Sequence, residues 1–134
     1  ISLPEPWFIG AVFGLFVLGA ASTKDFADME GDRAGGCFTL PMAIGIRPAA
    51  IVVAVSLSVP FAMLLFGLWR GLLSGNQWFL GGLSSVLIIW GLYAGRLLVR
   101  DPDGLATEKN HPSWKHMYLI LLFAQIGMAA AYLL

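Results

Sequence analysis

Charge is what this chain has least of. Only 12% of its 134 residues are Asp, Glu, Lys or Arg, the formal net charge is zero, and 58% are hydrophobic. A water-soluble domain covers one core with a charged skin, and this composition leaves too little charge to make that skin. Nor is there an excess of positive charge to form a footprint for nucleic acid, so no nucleic-acid partner is expected. A single cysteine, Cys37, excludes an internal disulfide framework. No internal repeat, heptad or low-complexity tract is present. No methionine opens the chain and no basic stretch precedes its first apolar run, so the start does not read as a signal peptide. An opening of Ile1-Ser2-Leu3-Pro4 in such a sequence leads us to expect part of a longer polypeptide.

What is abundant is apolar sequence, with a mean hydropathy of +0.80. Four long apolar segments cover residues 7–23, 48–69, 78–98 and 117–134. Each is close to the ~20 residues that cross a ~30 Å hydrocarbon core as a helix. Trp7, Trp69, Trp78 and Trp114 stand at segment ends, where an aromatic belt forms. Pro60 lies inside the second segment and is expected to kink it. The fold class expected is therefore all-α, a polytopic transmembrane bundle of about four spans, with residues 1–134 forming one domain. Loops at 24–47 and 95–116 lie on the same side of the membrane, because two spans separate them, and 70–77 lies on the other. The first two hold seven of the eight Lys and Arg residues, namely Lys24, Arg33, Arg47, Arg96, Arg100, Lys109 and Lys115. The positive-inside rule then places them in the cytoplasm and both chain ends outside.

The first loop opens Lys24-Asp25-Phe26-Ala27-Asp28-Met29-Glu30-Gly31-Asp32-Arg33. On one helix Asp25, Asp28 and Asp32 fall at i, i+3 and i+7, within an arc of about 60°. Glu30 points the other way. Like charges on one face destabilise a helix unless a cation sits among them. Clustered hard oxygen ligands suit Mg²⁺, which keeps several waters and bridges carboxylates to phosphate oxygens. Acids at the membrane end of a span usually mark function, although a solvated cytoplasmic loop accounts for the same residues. A departing diphosphate needs such neutralisation, with Lys24 and Arg33 on hand for direct phosphate contacts. Gly31, Gly35 and Gly36 are expected to end the helix.

The run Lys24-Asp25-x-x-Asp28-x-Glu30-Gly31-Asp32-Arg33-x-x-Gly36-x-x-Thr39-Leu40-Pro41 resembles the second aspartate motif of UbiA-type prenyltransferases. It is most similar to the branches that make chlorophyll side chains or archaeal ether lipids. The resemblance implies a helical fold of about nine spans whose two aspartate motifs face each other across a central cavity. It implies binding of a prenyl diphosphate through Mg²⁺, its departure to leave an allylic cation, and capture of that cation by a lipophilic acceptor. The acceptor remains open among chlorophyllide-like compounds, quinone precursors, homogentisate and a glycerol-phosphate ether. Carried over, Asp28 and Asp32 are the catalytic pair and Asp25 the additional metal ligand, while Lys24 and Arg33 are diphosphate partners. The family's first motif is absent from these 134 residues. An N-terminal half is therefore expected as a partner, as part of the same longer protein or as another chain, and the chain by itself is expected to be inactive.

In the third loop, Asp101-Pro102-Asp103-Gly104 reads as a turn. Asp101, Asp103 and Glu108 stand near His111 and His116, but the histidine pair at i and i+5 does not share a helix face well enough for a metal site, and Lys115 with His116 is expected to anchor the last helix at the interface. This loop is a candidate to close over the headgroup or admit the acceptor. Met63, Met117 and Met128 read as packing residues, and nothing marks Cys37 as a nucleophile. Two rival classes remain. In a transporter or channel subunit the acids hold a cation, but such sites lie near the bilayer midplane on broken helices, whereas these acids stand at a span's end. In a purely structural subunit the acids carry no activity.

Overall fold

The computed structural model of the chain describes residues 4–107 and 111–134. Among the described residues every regular element is a helix: α1 (Pro4–Ala21), α2 (Lys24–Ala27), α3 (Met29–Ala34), α4 (Leu40–Ile44), α5 (Ile46–Ser56), α6 (Val59–Trp69), α7 (Gln77–Arg100), α8 (Pro102–Thr107) and α9 (Pro112–Leu133). The opening at residues 1–3, together with Glu108 and Lys109, lies outside the described residues.

Four helical stretches are long and apolar enough to cross a membrane. They are Pro4–Ala27, Ile46–Trp69 and Gln77–Arg100, at 24 residues each, and Pro112–Leu133, at 22. At 1.5 Å rise per residue each spans ~33–36 Å. Pro4 and Pro6 open the first in its first turn, where a missing N–H costs nothing. The large apolar side chains left outward on these helices, such as Val86, Ile89, Leu92 and Ile126, are more than half exposed. A lipid-facing surface requires this arrangement, and a water-facing one forbids it at such density.

The second span does not merely kink. It divides at Leu57 and Ser58, whose N–H groups reach back only three residues, to Ala54 at 3.3 Å and Val55 at 3.1 Å. Pro60 cannot donate to the carbonyl of Ser56, so it stands as the second residue of a new helix instead. The third span also runs further than expected, through Arg100, because Ala94, Gly95 and Leu98 are buried against the neighbouring span.

Packing follows from the break. Helix α7 sits at the centre, with α5 and α6 on one side and α9 on the other, and α1 lies across α5 and α6. Where the second span divides, α7 passes so close that a Cβ on Gly91 would run into the carbonyl oxygen of Leu57. One turn later Gly95 lies against Ala54. Gly91 and Gly95 thus form a small-xxx-small contact, the means by which membrane helices approach closely without a hydrophobic driving force. The core beneath joins Phe16 to Phe61, rings 5.1 Å apart and tilted, with Leu57, Leu64, Leu87 and Ile120 around them.

The two ends of the bundle differ. At one, Glu5 accepts from the backbone N–H of Ser74 at 2.6 Å, from the Ser74 hydroxyl, and from the Tyr132 hydroxyl. The N–H of Asn76 bonds the carbonyl of Ala131 at 2.8 Å. The start of α1, the 70–77 loop and the end of α9 are tied there. At the other end α2 packs against α4 and α8, so the 24–47 and 95–116 regions do share one end.

Candidate active site

The aspartate-rich run begins where α1 stops. Thr23 Oγ1 donates to the carbonyl of Ala20 at 2.7 Å and Ser22 Oγ to that of Leu18 at 3.1 Å, tightening the turn. Phe26 is fully buried and fixes α2 to the bundle. The helix then breaks at Asp28, whose backbone (φ −101°, ψ 4°) ends α2 and begins α3. The single face expected across 25–32 is therefore two short helices meeting at the central acid. Its N–H bonds Lys24 O at 3.2 Å, and its carbonyl accepts from Asp32 N–H at 2.8 Å. That second bond keeps Asp28 and Asp32 one turn apart.

Asp28 is exposed, while Asp25 and Asp32 are half-buried. The Asp28 carboxylate makes no capping bond to the turn that follows. Asp25 on α2, Asp28 at the junction and Asp32 on α3 follow one another at the end of the first span. Among the described residues no set of three or more His, Cys, Asp or Glu side chains closes into a metal cage. Mg²⁺ does not need one, because it is commonly held by one or two carboxylates, waters and substrate phosphates. An open row of hard oxygens at the membrane edge fits that ion.

The end of the motif is closed by glycine. Gly36 has φ +74°, Cys37 N–H bonds Asp32 O at 2.8 Å, and Gly36 N–H bonds Arg33 O at 3.3 Å. This pair of bonds is a Schellman motif, and it pins the backbone of Asp32 itself. Gly31 stays inside α3 rather than ending it, leaving the stop to Gly35 and Gly36. Thr39 and Pro41 then start α4, with Pro41 buried.

The two basic neighbours diverge. Lys24 lines an apolar cavity of about 220 Å³ between α1 and α9, with Phe16, Ala20, Trp114, Met117 and Leu121. Arg33 instead lines a crevice of about 490 Å³ where Phe26 and Glu30 face Ala106 and Thr107 of α8. They flank the acids from different sides.

Several readings of the third loop change. Asp101 is not in a simple turn: its Oδ1 accepts from Gly104 N–H at 2.9 Å and caps α8. His111 caps α9, accepting from Ser113 N–H at 3.3 Å. His116 Nδ1 accepts from Trp90 Nε1 at 3.0 Å across the α7–α9 seam. The two histidines have separate duties. Trp114, expected in an aromatic belt, is half-buried at the α1–α9 cavity, unlike the exposed Trp7, Trp69 and Trp78. The lining of that cavity could not be read from the sequence. The one available signal was Trp114 in the first turn of an apolar helix that opens with Pro112.

The comparisons with known proteins agree with this geometry. The model of the UbiA prenyltransferase family matches residues 2–122. The digeranylgeranylglyceryl phosphate synthase of Methanoculleus marisnigri is 30% identical over 126 residues, covering 91% of this chain and 43% of that protein. Its namesake in Methanocaldococcus jannaschii is 31% identical over 118 residues, covering 84% of this chain and 38% of the relative. That of Haloquadratum walsbyi is 41% identical over 68 residues, 41% of this chain and 24% of its own. The chain thus spans about two fifths of the length of the first two relatives. No solved structure matches. With a family match over most of its length and the aspartate-rich run at the membrane end of a helical bundle, the chain belongs to the UbiA prenyltransferase family.

Proposed function

We propose that the native protein containing this chain transfers a prenyl group from an allylic diphosphate to a glycerol-phosphate ether. The observation that carries the reading is the group of Asp25, Asp28 and Asp32 at the end of the first span, next to Lys24 and an apolar cavity. The acceptor comes from the relatives, whose name describes a glycerol phosphate bearing two geranylgeranyl chains. Addition of the second chain to a singly substituted glycerol phosphate would make such a product.

In this reading Asp28 and Asp32, with Asp25 beside them, would hold Mg²⁺, and the ion would neutralise the leaving group's charge. Lys24 and Arg33 approach the diphosphate from either side and orient it. The allylic C–O bond breaks, and the electron pair leaves with the diphosphate. A glycerol hydroxyl oxygen forms the new C–O bond to that carbon and releases its proton. Apolar walls keep water from the cation in the interval. The aspartate-rich end faces the cytoplasm, as the Lys and Arg distribution favours. The N-terminal half of the native protein supplies the first aspartate motif, so this chain alone is inactive.

The test is an acceptor panel: the uninterrupted polypeptide in membranes, labelled geranylgeranyl diphosphate, and glycerol-phosphate ether, quinone-precursor and chlorophyllide acceptors. Product with the glycerol-phosphate ether alone supports the proposal. Product only with an aromatic acceptor keeps prenyl transfer but overturns the acceptor. No product in well-folded protein brings the transporter and structural readings forward.

A further inference from the structure

A groove between α5 and α7, to which neither α1 nor α9 contributes a wall, is left unused by prenyl transfer. Ala54 of α5 and Gly95 of α7 bring the two helices close together and form its floor. Ile51, Val55, Leu92 and Val99 stand beside them as apolar walls and are left roughly half exposed. The space between is about 370 Å³. Arg96 and Arg100, one turn apart at the end of α7, complete the lining. Arg47 begins the stripe of α5 that continues through Ile51 and Val55, which places a third cation at that end. No residue of this groove lines the cavity beside Lys24 or the crevice beside Arg33.

Two arginines at i and i+4 repel each other, and an anion between them removes that repulsion. No carboxylate lines the groove. Asp101, which follows Arg100, commits its Oδ1 to the Gly104 N–H. Charge balance at the groove is thus left to a group from outside these helices, and paired guanidinium N–H groups match phosphate oxygens. Arg100 is the last residue of its span and stands at headgroup depth, while Leu92 lies two turns deeper, at the level of lipid tails. A basic end on an apolar groove between membrane helices is the chemistry that holds an anionic lipid. We infer that the α5–α7 groove binds one anionic membrane phospholipid, its phosphate on Arg96 and Arg100 and the start of one chain between the apolar walls. A substrate diphosphate fits the groove less well, because it is held through a divalent ion and no acid is there to share that ion.

The experiment is native mass spectrometry of the uninterrupted polypeptide, purified in detergent and given equal amounts of phosphatidylglycerol and phosphatidylcholine with identical chains. One phosphatidylglycerol is expected to be retained in about tenfold preference, the size of one charge-assisted hydrogen bond. Arg96→Gln combined with Arg100→Gln is expected to remove the preference. Leu92→Trp fills the groove, leaves both arginines in place, and is expected to lower retention of phosphatidylglycerol. Arg70→Gln, at the other end of the bundle, is expected to leave it unchanged. No preference in the unaltered protein overturns the inference, whether another helix of the native protein covers the groove or the lipid does not bind. Retention that survives either the double arginine variant or Leu92→Trp overturns it as well, and so does an equal loss in Arg70→Gln. Displacement of the phosphatidylglycerol by equimolar geranylgeranyl diphosphate assigns the groove to the substrate and also overturns it.

Discussion

Gly36 holds the end of the aspartate-rich run because no other residue adopts its backbone cheaply. At φ +74° a side chain meets the following carbonyl, a cost of about 1–2 kcal/mol. Gly36→Ala is therefore expected to lower stability by about that amount, seen as a lower thermal midpoint in detergent. It also loosens the Cys37–Asp32 bond that pins the last acid, so transfer activity falls further than stability alone explains. The spacing of Asp25, Asp28 and Asp32 was readable in the sequence, and so was the stop near Gly36. The break at Asp28 was not, because the i, i+3, i+7 pattern suits an unbroken helix equally well. Lys24 and Arg33 look like a matched pair in the sequence. They face different cavities: Lys24, at the start of α2, lines the one between α1 and α9, while Arg33, near the end of α3, lines the crevice beside α8.

At the scale of elements, the decisive contact is Gly91 of α7 against the divided second span. A methyl there meets the Leu57 backbone, which cannot turn aside as a side chain can. Gly91→Ala is expected to destabilise the bundle by ~1–3 kcal/mol, the usual cost of overpacking. Gly82→Ala is the control, because a Cβ there meets nothing within 4 Å and the substitution gains helix propensity. Thermal unfolding of the two variants side by side separates close packing from a general intolerance of change in α7. The four spans were legible from length and hydropathy, since a bilayer sets both. Their boundaries were less so, because apolar helices continue past the hydrocarbon wherever small buried residues such as Ala94 and Gly95 find a neighbour. The short helix α8 was hidden because Asp-Pro-Asp-Gly serves equally as a turn and as a cap.

For the whole molecule, the ends of the bundle divide the work. Glu5, Ser74 and Tyr132 tie three segments at one end, while the other carries the acids, Lys24 and the α1–α9 cavity. Which end faces the cytoplasm is testable through Cys37, which is exposed and is the chain's single cysteine. In the native protein, with any cysteines outside this chain replaced, a membrane-impermeant maleimide should label Cys37 in inside-out vesicles and not in intact cells. Labelling in intact cells instead reverses the orientation. Acceptor choice was not legible in the sequence, because it depends on the shape of the cavity and not on the aspartate-rich run. The central claim, that the acids hold Mg²⁺ for diphosphate departure, is tested most directly by one measurement. Prenyl transfer by the uninterrupted polypeptide is followed across a Mg²⁺ titration for the unaltered protein, Asp28→Ala and Asp32→Ala. Activity that requires Mg²⁺ and falls at least ~10²-fold in both variants, with protein levels unchanged, is the expected result. Transfer that survives both substitutions, or proceeds equally in chelator, would contradict it.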